Sequence, residues 1–148
     1  MMDSITKLMT REGRAYLSLL RAQRFAVGRI GADAHVPREE RSLALLLRQS
    51  DPGTGLLALL KEASVAGQLY ALLGLWECRH PRVEGFLMDY RSRMDEVITQ
   101  VGCFVTPRRV RAVVGEIEDG TCSRLLQLHQ AQQITGAHSR YAIHFDHD

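Results

Sequence analysis

The chain has 148 residues, of which 45% are hydrophobic and 24% are charged. This length and balance are typical of one globular domain with a single core, and they exclude wholesale disorder. The net charge of +2 gives no reason to expect that the whole chain is attracted to nucleic acid or to anionic lipid. Nine of the 19 basic residues lie within residues 1–50, so a site for a polyanion is predicted near the N-terminus.

The sequence predicts a cytoplasmic protein with reduced cysteines. Residues 1–14 lack the apolar stretch of a secretory signal, and no apolar run is long enough to span a membrane. Cys78, Cys103 and Cys122 are widely spaced and form no CxxC pair, so neither a zinc site nor a redox motif is indicated. Buried, unpaired thiols are expected.

The first half of the chain predicts two helices with a loop between them. Apolar residues at helical spacing indicate an amphipathic helix from Ile5 to about Ala22. Residues 25–36 follow neither the helical nor the strand period and are predicted to form a loop. A second helix begins at Pro37 and runs to about Arg48, with acidic residues in its first turn.

The middle of the chain predicts a short helix followed by a longer one. After a turn at residues 50–53, Thr54 can cap a helix that ends at Glu62, and Ser64 can cap another that ends near Cys78. A single helix from Gly55 to Cys78 is the alternative. The break is favoured because serine stabilises a helix more as its N-cap than in its interior.

Small residues recur every fourth position in the longer of these helices. Ala63, Gly67 and Ala71 would lie on one helix face, where they let another backbone approach closely. A pocket for a cofactor is a second interpretation of this region, because it also contains Tyr70, Gly74 and Trp76. Core packing is favoured, since glycine inside a helix costs ~1 kcal/mol relative to alanine and close packing is the usual compensation.

The last part of the chain predicts three more helices and an extended tail. One helix begins after Pro81 and ends by Gly102, and the next begins at Thr106-Pro107 and stops at Gly120. A short helix follows from Thr121 to about Gln132. Beyond Gly136, apolar and polar residues alternate as in a strand. The expected fold is therefore all-α: a single domain of about six helices in antiparallel hairpins, as in a HEAT-like or irregular bundle, with an extended tail over residues 136–148.

Three groups of residues are candidates for a functional site. The first is a basic stripe that could follow a phosphate backbone, although a solvated helix face is the favoured interpretation. It consists of Lys7, Arg11, Arg14, Arg21 and Arg24.

The second candidate is Cys103, which precedes the predicted helix start at Thr106. A helix N-terminus stabilises a thiolate, so this cysteine could act as a nucleophile, with His80 or His129 as a distant base. Its apolar neighbours favour a buried structural cysteine instead.

The third candidate is a group of histidines near the C-terminus, at His138, His144 and His147. In an extended chain His144 and His147 point to opposite sides, so these residues alone do not supply the three or four convergent ligands that zinc requires. No metal and no cofactor is predicted.

The residues from Ala66 to Leu75, followed by Val101-Gly102-Cys103, resemble a pattern in small uncharacterised helical proteins of GC-rich bacteria. Some proteins of that kind are immunity partners that neutralise a toxin, and the resemblance implies such a role without assigning any functional residue. The sequence therefore favours a non-enzymatic module that binds a protein partner. A small cysteine-dependent enzyme and a nucleic-acid-binding regulator are the alternatives, and the oligomeric state is left open.

Overall fold

The computed structural model describes residues 10–127, and in that range it contains seven helices and one three-stranded sheet. The elements are α1 (Arg11–Leu20), β1 (Phe25–Ile30), α2 (Arg38–Leu47), α3 (Pro52–Glu62), α4 (Val65–Glu77), α5 (Val83–Tyr90), β2 (Glu96–Gly102), β3 (Phe104–Arg109), α6 (Val110–Glu118) and α7 (Thr121–Leu125). The fold is α+β, so the predicted all-α, HEAT-like bundle is wrong.

Helix α4 forms the centre of the molecule. Its residues are apolar on every side, which is typical of a fully buried helix, and it packs against helices α1, α2, α3, α5 and α6 and against the sheet. Ser64 is its N-cap and accepts a hydrogen bond from the Gly67 N–H at 3.1 Å. The predicted break between α3 and α4 is therefore confirmed.

The ladder of small residues packs as predicted. A Cβ atom at Gly67 would lie 2.1 Å from the backbone oxygen of Leu19, at the end of α1, and 2.7 Å from the Cβ of Ala63. Tyr70 and Ala71 are fully buried, and Trp76 is partly buried against the core. The core interpretation of this region is confirmed.

Strand β1 lies where the sequence predicts a loop. It pairs in parallel with β2, and five of its six residues are buried. A parallel strand that is buried on both faces has no alternating pattern, and Gly28, at φ +83°, marks the point where the pairing register shifts. These two features explain why strand periodicity is absent from the sequence of β1.

Strands β2 and β3 replace the end of one predicted helix and the start of another. Helix α5 ends at Tyr90 and not near Gly102, and Thr106 and Pro107 lie inside β3, so that α6 begins only at Val110. β2 and β3 form an antiparallel hairpin with Gly102-Cys103 at its turn, and the sheet order is β1-β2-β3. The stretch Val97-Ile98-Thr99 favours a strand, because β-branched residues fit a pleated sheet better than a helix.

The two ends of the chain are only partly described. Helix α1 begins at Arg11 with Thr10 as its N-cap, and α7 ends at Leu125. The predicted helix residues before position 10, the predicted continuation of α7 beyond position 127 and the predicted tail at 136–148 lie outside the described residues.

The outer edge of β1 is closed by side chains. The Tyr70 hydroxyl accepts a hydrogen bond from the Ala26 N–H and donates one to the Ala26 carbonyl oxygen, both at 2.7 Å. Glu40, which is fully buried, accepts a hydrogen bond from the Gly28 N–H at 2.9 Å and another from the Gln127 N–H. Side chains thus satisfy backbone groups that a fourth strand would otherwise pair.

Candidate functional site

Helices α1 and α2 pack side by side, and each carries three arginines at the same spacing, the last of them at the C-cap. The positions are Arg11, Arg14, Ser18 and Arg21 in the first helix, and Arg38, Arg41, Leu45 and Arg48 in the second. This spacing of i, i+3, i+7 and i+10 keeps each set on one helix face. Because both faces line the same depression, six arginines converge between the two helices.

The depression is a continuous groove with two adjoining parts, whose volumes are about 800 Å³ and 550 Å³ and which share Arg14, Ser18 and Arg38. A seventh arginine, Arg24, lines it from the segment after α1. We call this surface the arginine groove, and its basic residues are Arg11, Arg14, Arg21, Arg24, Arg38, Arg41 and Arg48.

Few carboxylates balance these charges. Glu39 is the one acidic residue among the described residues that line the groove, and it is buried and paired with Arg24 at 3.4 Å. Within residues 10–127, the guanidinium groups of Arg11, Arg21, Arg38 and Arg48 have no hydrogen bond or ion pair with a protein group. Like charges three or four positions apart repel each other and destabilise a helix slightly. Binding of an anion between these arginines would remove that repulsion.

Arg24 is held in a fixed orientation at the floor of the groove. Its Nη1 donates to the Gln100 Oε1 atom of β2 at 2.7 Å, and its Nη2 lies 3.4 Å from the Glu39 Oε1 atom. A guanidinium group that is already oriented loses less side-chain entropy when it binds a further anion.

Three arginines outside the groove are paired with acids. Arg91 bonds to Glu118, Arg93 to Asp95, and Arg108 to Glu116 at 2.8 Å. Their hydrogen bonds hold the pKa of the Glu118 and Asp95 carboxyl groups below the usual values. The arginine groove therefore differs from these three sites, where each guanidinium group has its own carboxylate partner.

The β2–β3 hairpin brings an apolar surface to one end of the groove. Ile98 lines the groove and is 42% exposed, and the strand register places Val105 and Pro107 on the same face of the sheet. Of the six exposed large hydrophobic residues in the described range, Met88 lies on α5 and the other five lie on the hairpin or just before it. We call these five the apolar hairpin surface: Met94, Ile98, Val101, Phe104 and Val105.

The basic stripe predicted from sequence is part of the groove. The structure places Arg11, Arg14, Arg21 and Arg24 there, while Lys7 lies outside the described residues. Sequence reasoning missed the three arginines of α2. The repeated spacing in α1 and α2 was the available signal, but only the packing of the two helices shows that both faces line one groove.

Cys103 is exposed in the hairpin turn, contrary to the expectation of a buried thiol. No hydrogen bond from another described residue reaches its sulfur. His80 lies in the segment between α4 and α5, where its ring is beside Gly53 and its Nδ1 accepts a hydrogen bond from the Arg82 N–H. His129 lies outside the described residues. The described residues thus give Cys103 no general base.

The other two cysteines differ in environment. Cys78 is half-buried, and Cys122 is buried in α7, where loss of solvation raises its thiol pKa to about 12. Burial also raises the pKa of Cys78. Neither thiol is therefore activated as a nucleophile, because a nucleophilic thiol needs a lowered pKa.

The predicted metal-site candidates His138, His144 and His147 lie outside the described residues. Between residues 10 and 127, no three histidine, cysteine, aspartate or glutamate side chains are grouped so that they could hold a metal ion. In the same part of the chain, every helix is too short or too polar to cross a membrane.

Comparisons of the chain with protein-family models, with curated proteins and with solved structures gave no match. The arginine groove and the apolar hairpin surface are the features of the described residues that point to a function.

Proposed function

We propose that this chain is a non-enzymatic protein-interaction module, most concretely a cytoplasmic immunity protein or adaptor that binds a partner protein and covers its active surface. One observation carries the proposal: five of the six exposed large hydrophobic residues in the described range are concentrated at the β2–β3 hairpin. A concentration of exposed apolar side chains on one element is a mark of protein–protein contact sites.

The hairpin has the form of an interface element. Phe104 is 79% exposed and Val105 is 60% exposed, and they lie on opposite faces of the sheet at the tip of the hairpin. A partner that covers the tip would bury both side chains. Aromatic and arginine side chains dominate binding energy at interfaces, and both types are present on the hairpin and the adjoining groove. This combination supports a protein partner more than a small-molecule substrate.

The test is a capture experiment from the native host with the full chain and two variants. Phe104→Ser/Val105→Thr removes exposed apolar area from the hairpin, and Met88→Ser removes exposed apolar area from α5. The parent chain and Met88→Ser are expected to retain one stoichiometric protein partner at physiological salt. The hairpin variant is expected to lose that partner at unchanged melting temperature.

Two results would count against this function. One is that the parent chain captures no protein, and the other is that the hairpin variant captures the same protein in the same yield as the parent. Circular dichroism of both variants checks that they are folded, so that a lost partner reflects the surface and not unfolding.

A further inference from the structure

Resting on the proposed function, we infer that the arginine groove binds a carboxylate-rich segment of the partner protein. The observations that support this concern the charges of the groove, and Ile98 is the one described groove residue that also belongs to the apolar hairpin surface.

The charge arrangement defines the ligand. Arg21 and Arg38 line the same part of the groove as Arg24, are exposed, and have no acidic partner within the described residues, whereas Arg91, Arg93 and Arg108 elsewhere are each paired with an acid. A fork of N–H donors on each guanidinium matches the two oxygens of a carboxylate. An acidic segment would supply, from outside, carboxylates of the kind that the protein itself places beside Arg91, Arg93 and Arg108. Among the described residues, seven arginines and a single carboxylate line the groove, so the net charge there is strongly positive.

The dimensions suit a short segment of polypeptide. Arg21 comes ten positions after Arg11, and Arg48 ten positions after Arg38, so each basic face extends for about 15 Å along its helix. A groove of this length accommodates a helix of about ten residues, or about five residues of extended chain.

The chemistry at the end of the groove distinguishes an acidic protein from a nucleic acid. The described residues that line the groove include no aromatic ring on which a base could stack, and the groove ends at Ile98 in an apolar surface. A protein segment can place an apolar side chain there beside its carboxylates. A phosphate backbone has no apolar group to place there.

The test measures binding of a fluorescein-labelled oligoglutamate peptide to the full chain by anisotropy, over a series of salt concentrations. The groove variant is Arg21→Gln/Arg38→Gln, and the matched control is Arg79→Gln/Arg111→Gln, which removes the same charge at two exposed arginines outside the groove. The groove variant is expected to bind at least ~10-fold more weakly than the parent, and with a smaller salt dependence, because two charge-assisted contacts are lost. The control is expected to bind within about twofold of the parent, since exposed charges away from the site are screened.

Single-stranded and duplex oligonucleotides are the second arm of the same experiment. Weaker binding of both than of oligoglutamate supports the inference, and tighter binding of either would replace it with a nucleic-acid site. Equal losses in the groove variant and the control, or no oligoglutamate binding by the parent, would overturn it.

The hairpin variant separates this inference from the proposed function. Phe104→Ser/Val105→Thr is expected to keep its affinity for oligoglutamate while it loses the captured partner. If oligoglutamate does not bind but the partner is still captured through the hairpin, the groove inference fails and the proposed function stands. If neither occurs, both fail.

Discussion

The two outer strands of the sheet differ in what lies beside them. At β1, the hydroxyl of Tyr70 and the carboxylate of Glu40 bond to backbone groups, and the strand is buried. At β3, five of six residues are exposed and no further strand follows in the described chain. The same sheet thus has one edge that the chain closes with its own side chains and one that faces solvent.

The open edge still carries a feature that limits unwanted pairing. Val101 and Phe104 flank the two-residue turn and form a hydrogen-bonded pair. From that pair onward, hydrogen-bonded and non-hydrogen-bonded pairs alternate along the hairpin, and Ile98 and Pro107 form a non-hydrogen-bonded pair. The backbone nitrogen of Pro107 therefore points toward the free edge. Proline has no N–H to offer another strand, and natural sheets use it in this way. Pro107 therefore makes β3 a poor template for another strand, while the side chains of β3 remain exposed.

Thiol labelling should show the largest difference between the two edges. Cys103 lies in the turn beside β3 and is exposed, whereas Cys122 lies in α7, which packs beside β1, and is buried with a raised pKa. With a disulfide reagent at neutral pH, Cys103 is expected to react at least ~100-fold faster than Cys122, because Cys122 reacts only after the structure opens. Mass spectrometry of tryptic peptides measures both labelling rates. Comparable rates would show that Cys122, beside β1, is as accessible to the reagent as Cys103 in the hairpin turn.

Tyr70→Phe should have the largest effect on stability. The substitution leaves the buried N–H and C=O of Ala26 without the hydroxyl, which costs about 2–4 kcal/mol for the two groups together. Tyr90→Phe is the matched control, since its half-buried hydroxyl bonds to the Gln68 side chain and its loss is expected to cost about 0.5–1.5 kcal/mol. Urea denaturation measures both, and equal costs would remove the special role of Tyr70 at the edge of β1.

The closed edge should also weaken in alkali. Burial raises the pKa of Tyr70 well above its usual value of 10.0, so above about pH 10 this tyrosine ionises in the unfolded chain but stays protonated in the folded one. The unfolded state then binds fewer protons, and the Tyr70 contribution to stability falls by about 1.4 kcal/mol per pH unit. Denaturation at pH 9, 10 and 11 tests this, as the stability difference between the parent and Tyr70→Phe should shrink with rising pH. A constant difference would contradict it.

Pro107→Ala should have the smallest effect on stability and a visible effect on association. The residue is exposed, so the free energy of unfolding is expected to change by less than about 0.5 kcal/mol. The new N–H would complete a row of donors on the open edge, so self-association is expected to increase. Sedimentation velocity compares the parent, Pro107→Ala and the exposed control Pro81→Ala. Identical distributions for all three would show that the proline does not protect the edge.

The helical core could be predicted from sequence because its determinants are local. The serine cap at Ser64, the spacing of Gly67 from Ala63 and the stripe at Val110, Val113 and Ile117 each depend on residues within a few turns. The sheet could be predicted only in part. The β-branched runs on either side of Gly102-Cys103 are a usable signal for a hairpin. The burial of β1 on both faces depends instead on partners that are distant in sequence.

The candidate site, like the fold, could be predicted only where it depends on residues that are close in sequence. Arg11, Arg14 and Arg21 were recognisable as one face of α1, because helical periodicity alone groups them. The contribution of Arg38 and Arg48 could not be recognised, since it depends on the side-by-side packing of α1 and α2. The polar floor formed by Arg24, Glu39 and Gln100 brings together three separate segments, and no pattern in the sequence links them.

The parallel pairing of β1 with β2 has a consequence for how the chain folds. Sixty-five residues lie between Ile30 and Glu96, and closing so long a loop costs entropy before any contact across it forms. The β2–β3 hairpin needs only a two-residue turn. We therefore expect the hairpin and helices to assemble early and β1 to join the sheet late, so that refolding is limited by this one long-range step.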